Sequence, residues 1–172
     1  MQKSIGTAKA IAYIECYNGK RLSNSYFISH YVEHDFTIRE VLKNQMDNKA
    51  VIFKGFVEFT FNLHNNDVLH LDHSPGNTLI KQTSNGYSYA IIDINRMHFK
   101  KLSVHERLKN FVRLTTDTSE LSELISLYTD LTGENKHQCI TYVKQLAKKR
   151  FRAVQRKKRL KKLLKEPLIN TK

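Results

Sequence analysis

Three polar residues carry most of the chemical content of this sequence. Asp72 stands five residues before Asn77 in the segment His70-Leu71-Asp72-His73-Ser74-Pro75-Gly76-Asn77, and Asp93 follows Asn77 by sixteen residues, after an apolar stretch. Phosphoryl transfer from a nucleotide needs a carboxylate that orients or deprotonates the attacking hydroxyl, and oxygen ligands for the magnesium that sits on the phosphates. This segment can supply both. An Asp five residues before an Asn, on a loop held by a buried helix, puts a base and an amide ligand on one side. A hairpin between Asn77 and Asp93 brings the second acid back beside that loop, so Asn77 and Asp93 can share one metal site. The same residue types also form turns around Pro75-Gly76. His64, Asp67, His70, Asp72 and His73 are dense enough to hold a transition metal, although their spacing matches no zinc signature.

The elements that must position these residues can be read from periodicity. Ala10 to Tyr17 and Ser25 to Val32 are β-rich stretches separated by Asn18-Gly19, which signals a hairpin; the polar residues through Asn24 suggest a connection longer than two residues. Tyr26, Phe27 and Tyr31 read as strand packing. Asp35 or Thr37 can cap a short helix over Ile38 to Leu42. From Lys49 to His64 the chain is apolar on nearly every side, and its length favours a buried central helix with Phe53, Phe56 and Phe59 in the core. Val68-Leu69 is a very short apolar stretch, and Thr78 to Lys81 with Tyr87 to Ile92 make a second hairpin across Thr83 to Gly86. Helices follow over Val104 to Leu114, Ser119 to Leu131 and Asn135 to about Lys165. Gly133 sits at a C-cap position and Pro167 lies past the last helix.

The net charge of +13 looks like a nucleic-acid signal until it is mapped. Residues 136 to 172 hold 14 of the 29 Lys and Arg but a single acid, Glu166, so that segment alone carries the whole excess and the rest of the chain is neutral. The basic character belongs to a tail. No run approaches the roughly 18 apolar residues that span a bilayer, and the N-terminus has no basic segment leading into an apolar core, so the chain reads as soluble. Cys16 and Cys139 match no metal or redox spacing and are expected to be free thiols of a reducing cytoplasm.

With these residues in view, His70-x-Asp72-x-x-x-x-Asn77 resembles the protein-kinase catalytic loop, and Asp93-Ile94-Asn95 occupies the place of its magnesium-binding Asp-Phe-Gly. Within that superfamily, Leu-His-Leu-Asp-His-Ser-Pro-Gly-Asn at 69 to 77, Ile-Ile-Asp-Ile-Asn-Arg at 91 to 96 and Glu106-Arg107-Leu108-Lys109-Asn110 are similar to the lipopolysaccharide core heptose and Kdo kinase family. The resemblance implies an α+β, protein-kinase-like fold. Residues 1–32 would be a hairpin remnant of the N-terminal lobe with the hinge strand, 33–135 the lobe with the catalytic loop, and 136–172 a basic helix. It implies ATP and magnesium as cofactors, Asp72 as catalytic base, Asn77 and Asp93 as magnesium ligands, and His70 as a brace for the loop. The segment Ser29 to Glu33 would be the hinge, with backbone groups of His30, Tyr31 and Val32 bonding adenine.

Two departures from the family pattern matter. Ser74 stands where serine and threonine kinases carry a Lys, two residues after the base, which argues for a small-molecule or glycan acceptor. No Gly-x-Gly occurs in the sequence, and only about nine residues precede the first hairpin, so the chain resembles a hinge and C-terminal lobe without most of the N-terminal lobe. Arg96 stands where it can contact a phosphate or pair with an acid.

The resemblance implies a lipopolysaccharide precursor, through a Kdo or heptose hydroxyl, as acceptor. The helix from Asn135 has Ile140, Val143, Ala147, Phe151 and Val154 at helical spacing, so its first half should dock on the domain. Residues 148–165 form a basic end suited to an anionic membrane surface, which would hold a cytoplasmic protein on the inner face of the inner membrane. Nucleic acid is the less favoured partner. The rival reading is a non-catalytic kinase-like protein whose tail contacts membrane or nucleic-acid phosphates.

Overall fold

The computed structural model describes residues 5–44 and 46–163. Lys165 and Pro167, named above for the end of the last helix, lie outside them. The chain divides into two compact units between Leu102 and Ser103, and it is a mixture of helices and small antiparallel sheets.

The first unit begins with a hairpin of β1 (Ala10–Asn18) and β2 (Arg21–Ser29), joined by a two-residue turn in which Gly19 takes φ +61°. The connection is therefore shorter than the polar residues through Asn24 suggested. Those residues lie inside β2, and the register shifts at Cys16 and Tyr17, so that Cys16 faces Asn24 and Tyr17 faces Leu22. Ser23 is the extra residue, and its hydroxyl donates to the Cys16 carbonyl at 3.0 Å. Polar side chains cost little there because both faces of the hairpin are exposed. Tyr26 and Phe27, read as strand packing, are 55% and 54% exposed for the same reason, and Tyr31, 77% exposed, lies past the end of β2.

After the hairpin, Thr37 caps α1 (Ile38–Lys43) through a capping box with Glu40. The Thr37 bonds hold the Glu40 carboxyl below its ordinary range. Helix α2 (Lys49–Asn65) is the centre of the unit, with Ile52, Phe53, Phe56 and Val57 fully buried. At about 1.5–3 kcal/mol per fully buried large apolar side chain, this face is the main source of the unit's stability. Phe59 is only partly buried and stacks on Tyr89 at 6.0 Å. A Cβ at Gly55, in mid-helix, would lie 2.5 Å from the Tyr89 hydroxyl, so the ring would have to shift and give up its bond to the Ile52 carbonyl.

Two small sheets complete the unit. Strand β3 (Phe36–Thr37) pairs with β5 (Thr78–Thr83), which pairs with β6 (Gly86–Ile91). Strand β4 (Val68–His70) pairs antiparallel with β7 (Met97–Phe99), His70 opposite Met97. Residues before β1 lie along β6: Thr7 bridges Ile91, and the Ile91 amide donates to the Gly6 carbonyl at 2.8 Å.

The second unit is helical. Ser103 and Glu106 form a capping box at α3 (Val104–Asn110), which tightens into a 3-10 turn over Phe111–Arg113 rather than continuing as one helix. Asp117 caps α4 (Thr118–Thr132), and Gly133 closes it at φ +73°. Helix α5 (Lys136–Leu163) packs through Cys139 and Val143, and Tyr142 meets His105 edge-on at 4.9 Å. Docking ends earlier than the apolar spacing suggested. Phe151 and Val154 are 53% and 38% exposed, as is everything from Lys148 to Lys162.

Candidate functional site

The loop between β4 and β5 is closed by its own backbone. The His73 amide donates to the His70 carbonyl at 3.1 Å, the Ser74 amide to Asp72 at 2.7 Å and the Asn77 amide to Ser74 at 3.0 Å. Pro75 opens a 3-10 turn that ends on Asn77. The Asn77 side-chain amide then donates to the Asp72 carbonyl at 2.8 Å. With the nitrogen so engaged, the amide oxygen is the atom Asn77 can offer to a cation. The Asp72 side chain is 21% exposed.

Two buried histidines tie the loop to its surroundings. His70 is 1% exposed, and its Nε2 lies 3.0 Å from the Ile92 carbonyl. A carbonyl only accepts, so Nε2 carries the proton. His73 is fully buried, stacks on Phe56 of α2 at 5.5 Å and 11°, and has Nε2 3.4 Å from the Thr60 hydroxyl. Burial pushes its pKa down to about 3, with His64 and His70 adding to the effect, so the ring is neutral.

Asp93 is delivered to this loop from the other side. The Ile92 amide donates to the Asn77 carbonyl and the Leu71 amide to the Arg96 carbonyl, each at 2.9 Å. The residues on both sides of Asp93 are thus fastened to the segment 70–77. Asp93 itself takes φ +59°, ψ +47°, left-handed backbone that a non-glycine residue adopts at a cost. Strain of this kind, over-determined by surrounding bonds, is a feature of functional turns. The Arg96 guanidinium reaches back to the Asp72 carboxylate at 3.8 Å, with a side-chain exposure of 62%.

Asp93 also lines a cleft of about 370 Å³ with Thr7, Ala8, Phe27, Ser29, Ile92, Ile94 and Asn95. Of the expected hinge, Ser29 stands in this wall. His30, Tyr31 and Val32 follow it: the His30 amide donates to the Lys9 carbonyl at 2.9 Å, the Val32 carbonyl lies 3.0 Å from His34 Nδ1, and Tyr31 is exposed. Thr7, Ala8 and Phe27 are wall residues that sequence reasoning missed. The local signal for Thr7 was weak, a glycine before a threonine. Gly6 must be glycine because a Cβ would lie 2.2 Å from the Tyr89 carbonyl, and that is visible only once the two segments are paired.

Asn77 and Asp93 offer one amide oxygen and one carboxylate, a hard-oxygen set that suits magnesium, which keeps several waters and takes few protein ligands. The denser histidine cluster does not serve as a metal centre. Among the described residues no group of three or more His, Cys, Asp or Glu is placed to hold an ion, and His64, His70 and His73 are core residues.

The chain matches no family model and no curated protein. Among solved structures, one described as WaaP in complex with acyl carrier protein matches at 15% sequence identity with a TM-score of 0.60, over 86% of this chain and 70% of that one. The chain shares the WaaP fold. The likeness to WaaP is one of backbone architecture, and it extends over most of the described chain.

In the second unit, α5 carries no acid, and Lys157, Lys158 and Arg159 in succession point about 100° apart, so bases cover more than half of the circumference of its end, with Leu160 exposed beside them. No described helix is long and apolar enough to cross a membrane.

Proposed function

We propose that this chain is a protein-kinase-like phosphotransferase that moves the γ-phosphoryl group of ATP to a Kdo or heptose hydroxyl of a lipopolysaccharide precursor. The observation that carries this reading is the lacing of Asp93 to the Asp72–Asn77 loop, beside a cleft that Asp93 lines. The motif resemblance and the fold shared with WaaP support it. In this reading the acceptor hydroxyl gives its proton to Asp72 as its oxygen attacks phosphorus, and the bond to ADP breaks. Asn77 and Asp93 would hold magnesium, which would neutralise charge on the nucleotide phosphates. His30, Tyr31 and Val32 meet the adenine, and the basic segment 148–165 holds the protein on the inner face of the inner membrane through anionic headgroups.

The exposed, basic and acid-free end of α5 favours a second reading, a non-catalytic kinase-like protein that binds membrane or nucleic-acid phosphates. Magnesium-dependent ATP turnover with a lipopolysaccharide precursor separates the two. The first reading expects turnover in the unaltered chain and none in Asp72→Ala or Asp93→Ala. Absence of nucleotide binding, with retention of a polyanion by both variants, would leave the second.

A further inference from the structure

Phosphoryl transfer spreads negative charge over three equatorial oxygens, and a cation positioned beside the base is worth most where the site is partly desolvated. The sequence places Ser74, not a cation, two residues after Asp72. The fold nevertheless brings a cation to the same carboxylate from another strand connection. Arg96 Nη1 lies 3.8 Å from Asp72 Oδ2. The backbone of Arg96 is pinned: its carbonyl accepts from the Leu71 amide at 2.9 Å, and the next residue, Met97, pairs with His70. Its side chain is held loosely, at the outer limit of an ion pair and 62% exposed. The anchor is fixed while the guanidinium can turn. A structural ion pair this exposed contributes only about 0–1 kcal/mol, which gives little reason for one here.

We infer that Arg96 is a catalytic residue, which rests on the phosphotransferase reading: its guanidinium turns from Asp72 to the transferring phosphoryl group. The step balances without a further reactant. The bond from the γ-phosphorus to the bridging oxygen breaks, the bond to the acceptor oxygen forms, the hydroxyl proton passes to Asp72, and ADP leaves with the electron pair. Arg96 stays protonated and donates to the equatorial oxygens, taking the place that serine and threonine kinases give to a lysine two residues after the base.

The test compares Mg·ADP with Mg·ADP plus aluminium fluoride, a planar phosphoryl mimic, by calorimetry on the full chain and on Arg96→Gln, Arg96→Lys and Asp93→Ala. The unaltered chain is expected to bind the fluoride complex at least about 100-fold more tightly than Mg·ADP alone. Arg96→Gln should lose most of that gain while Mg·ADP binding changes less than about twofold, and Arg96→Lys should keep part of it. Both substitutions preserve the backbone bond to Leu71, and an unchanged unfolding midpoint confirms that the loop stands. Retention of the gain in Arg96→Gln overturns the inference, as does equal weakening of both complexes, which marks a structural role. Failure of the unaltered chain to bind Mg·ADP, or binding that Asp93→Ala does not affect, removes the phosphotransferase reading itself and the inference with it.

Discussion

The side-chain amide of Asn77 donates to the main-chain carbonyl of Asp72 across 2.8 Å, so its nitrogen closes the loop and only its oxygen can serve a cation. The two roles separate by substitution. Asn77→Asp keeps an oxygen but loses the donor, and Asn77→Ala loses both. Each should cost about 0.5–1.5 kcal/mol of stability from the lost loop bond, with Ala alone abolishing magnesium-dependent nucleotide binding. Denaturant unfolding and a magnesium titration of ATP binding check this, and equal nucleotide binding by the two variants would remove Asn77 from the metal site.

Asp93 sits in left-handed backbone, a conformation that costs a β-carbon residue about 1–2 kcal/mol and that glycine adopts freely. Asp93→Gly is therefore expected to be as stable as the unaltered chain or up to about 1 kcal/mol more so, while losing magnesium-dependent ATP binding. A gain in stability with loss of binding is the signature of strain held for function. Unfolding midpoints and calorimetric ATP titrations read the two effects separately, and binding that survives in Asp93→Gly excludes the carboxylate as a ligand.

His73 is buried neutral with its pKa near 3, below the ordinary 6.5, because burial disfavours the charged ring and His64 and His70 stand close. The unfolded chain therefore binds more protons than the folded chain between those values. Its contribution to stability is complete above pH 6.5 and is lost as pH falls toward 3, at up to about 1.4 kcal/mol per pH unit. Because His73 anchors the loop to α2, nucleotide binding should weaken over the same range. His73→Phe, which keeps a ring against Phe56, should give a shallower fall in unfolding free energy between pH 6.5 and 5. An unaltered slope would assign the acid sensitivity to other groups.

At about 1 kcal/mol per base near an anionic surface, reversing Lys157, Lys158 and Arg159 to Glu should weaken binding to phosphatidylglycerol vesicles by roughly 100-fold or more at low salt. Phosphatidylcholine vesicles should bind neither form. Co-sedimentation across a salt series measures this. A tighter hold on duplex DNA than on the anionic vesicles would favour the second reading of function instead.

Much of the local structure was legible because its causes are local. The Thr37 that caps α1 and the Gly133 that ends α4 each act within a few residues of themselves, and the apolar content of α2 states the burial of its main face directly. The spacing of Asp72, Asn77 and Asp93 likewise depends on one loop and one hairpin, both marked by Pro75, Gly76 and Gly86. The hairpin at the start of the chain shows the opposite case. Its alternation of aromatic and β-branched residues specifies a strand, yet the same alternation holds whether a face is covered or bare, so Tyr26 and Phe27 could not be placed in or out of a core from their order.

Residue types and their intervals along the chain thus determined which groups could do chemistry and where the long helices and the two hairpins lie, while the short strands β3 and β7 went unread. Only the tertiary structure decided that Thr7 lies along Ile91, that Arg96 stands against Asp72, and that Phe27 and Ser29 share a cleft with Asp93. These are contacts between segments far apart in the chain. They arise because main-chain groups of one segment must find partners on another, and no interval within either segment records which partner that will be.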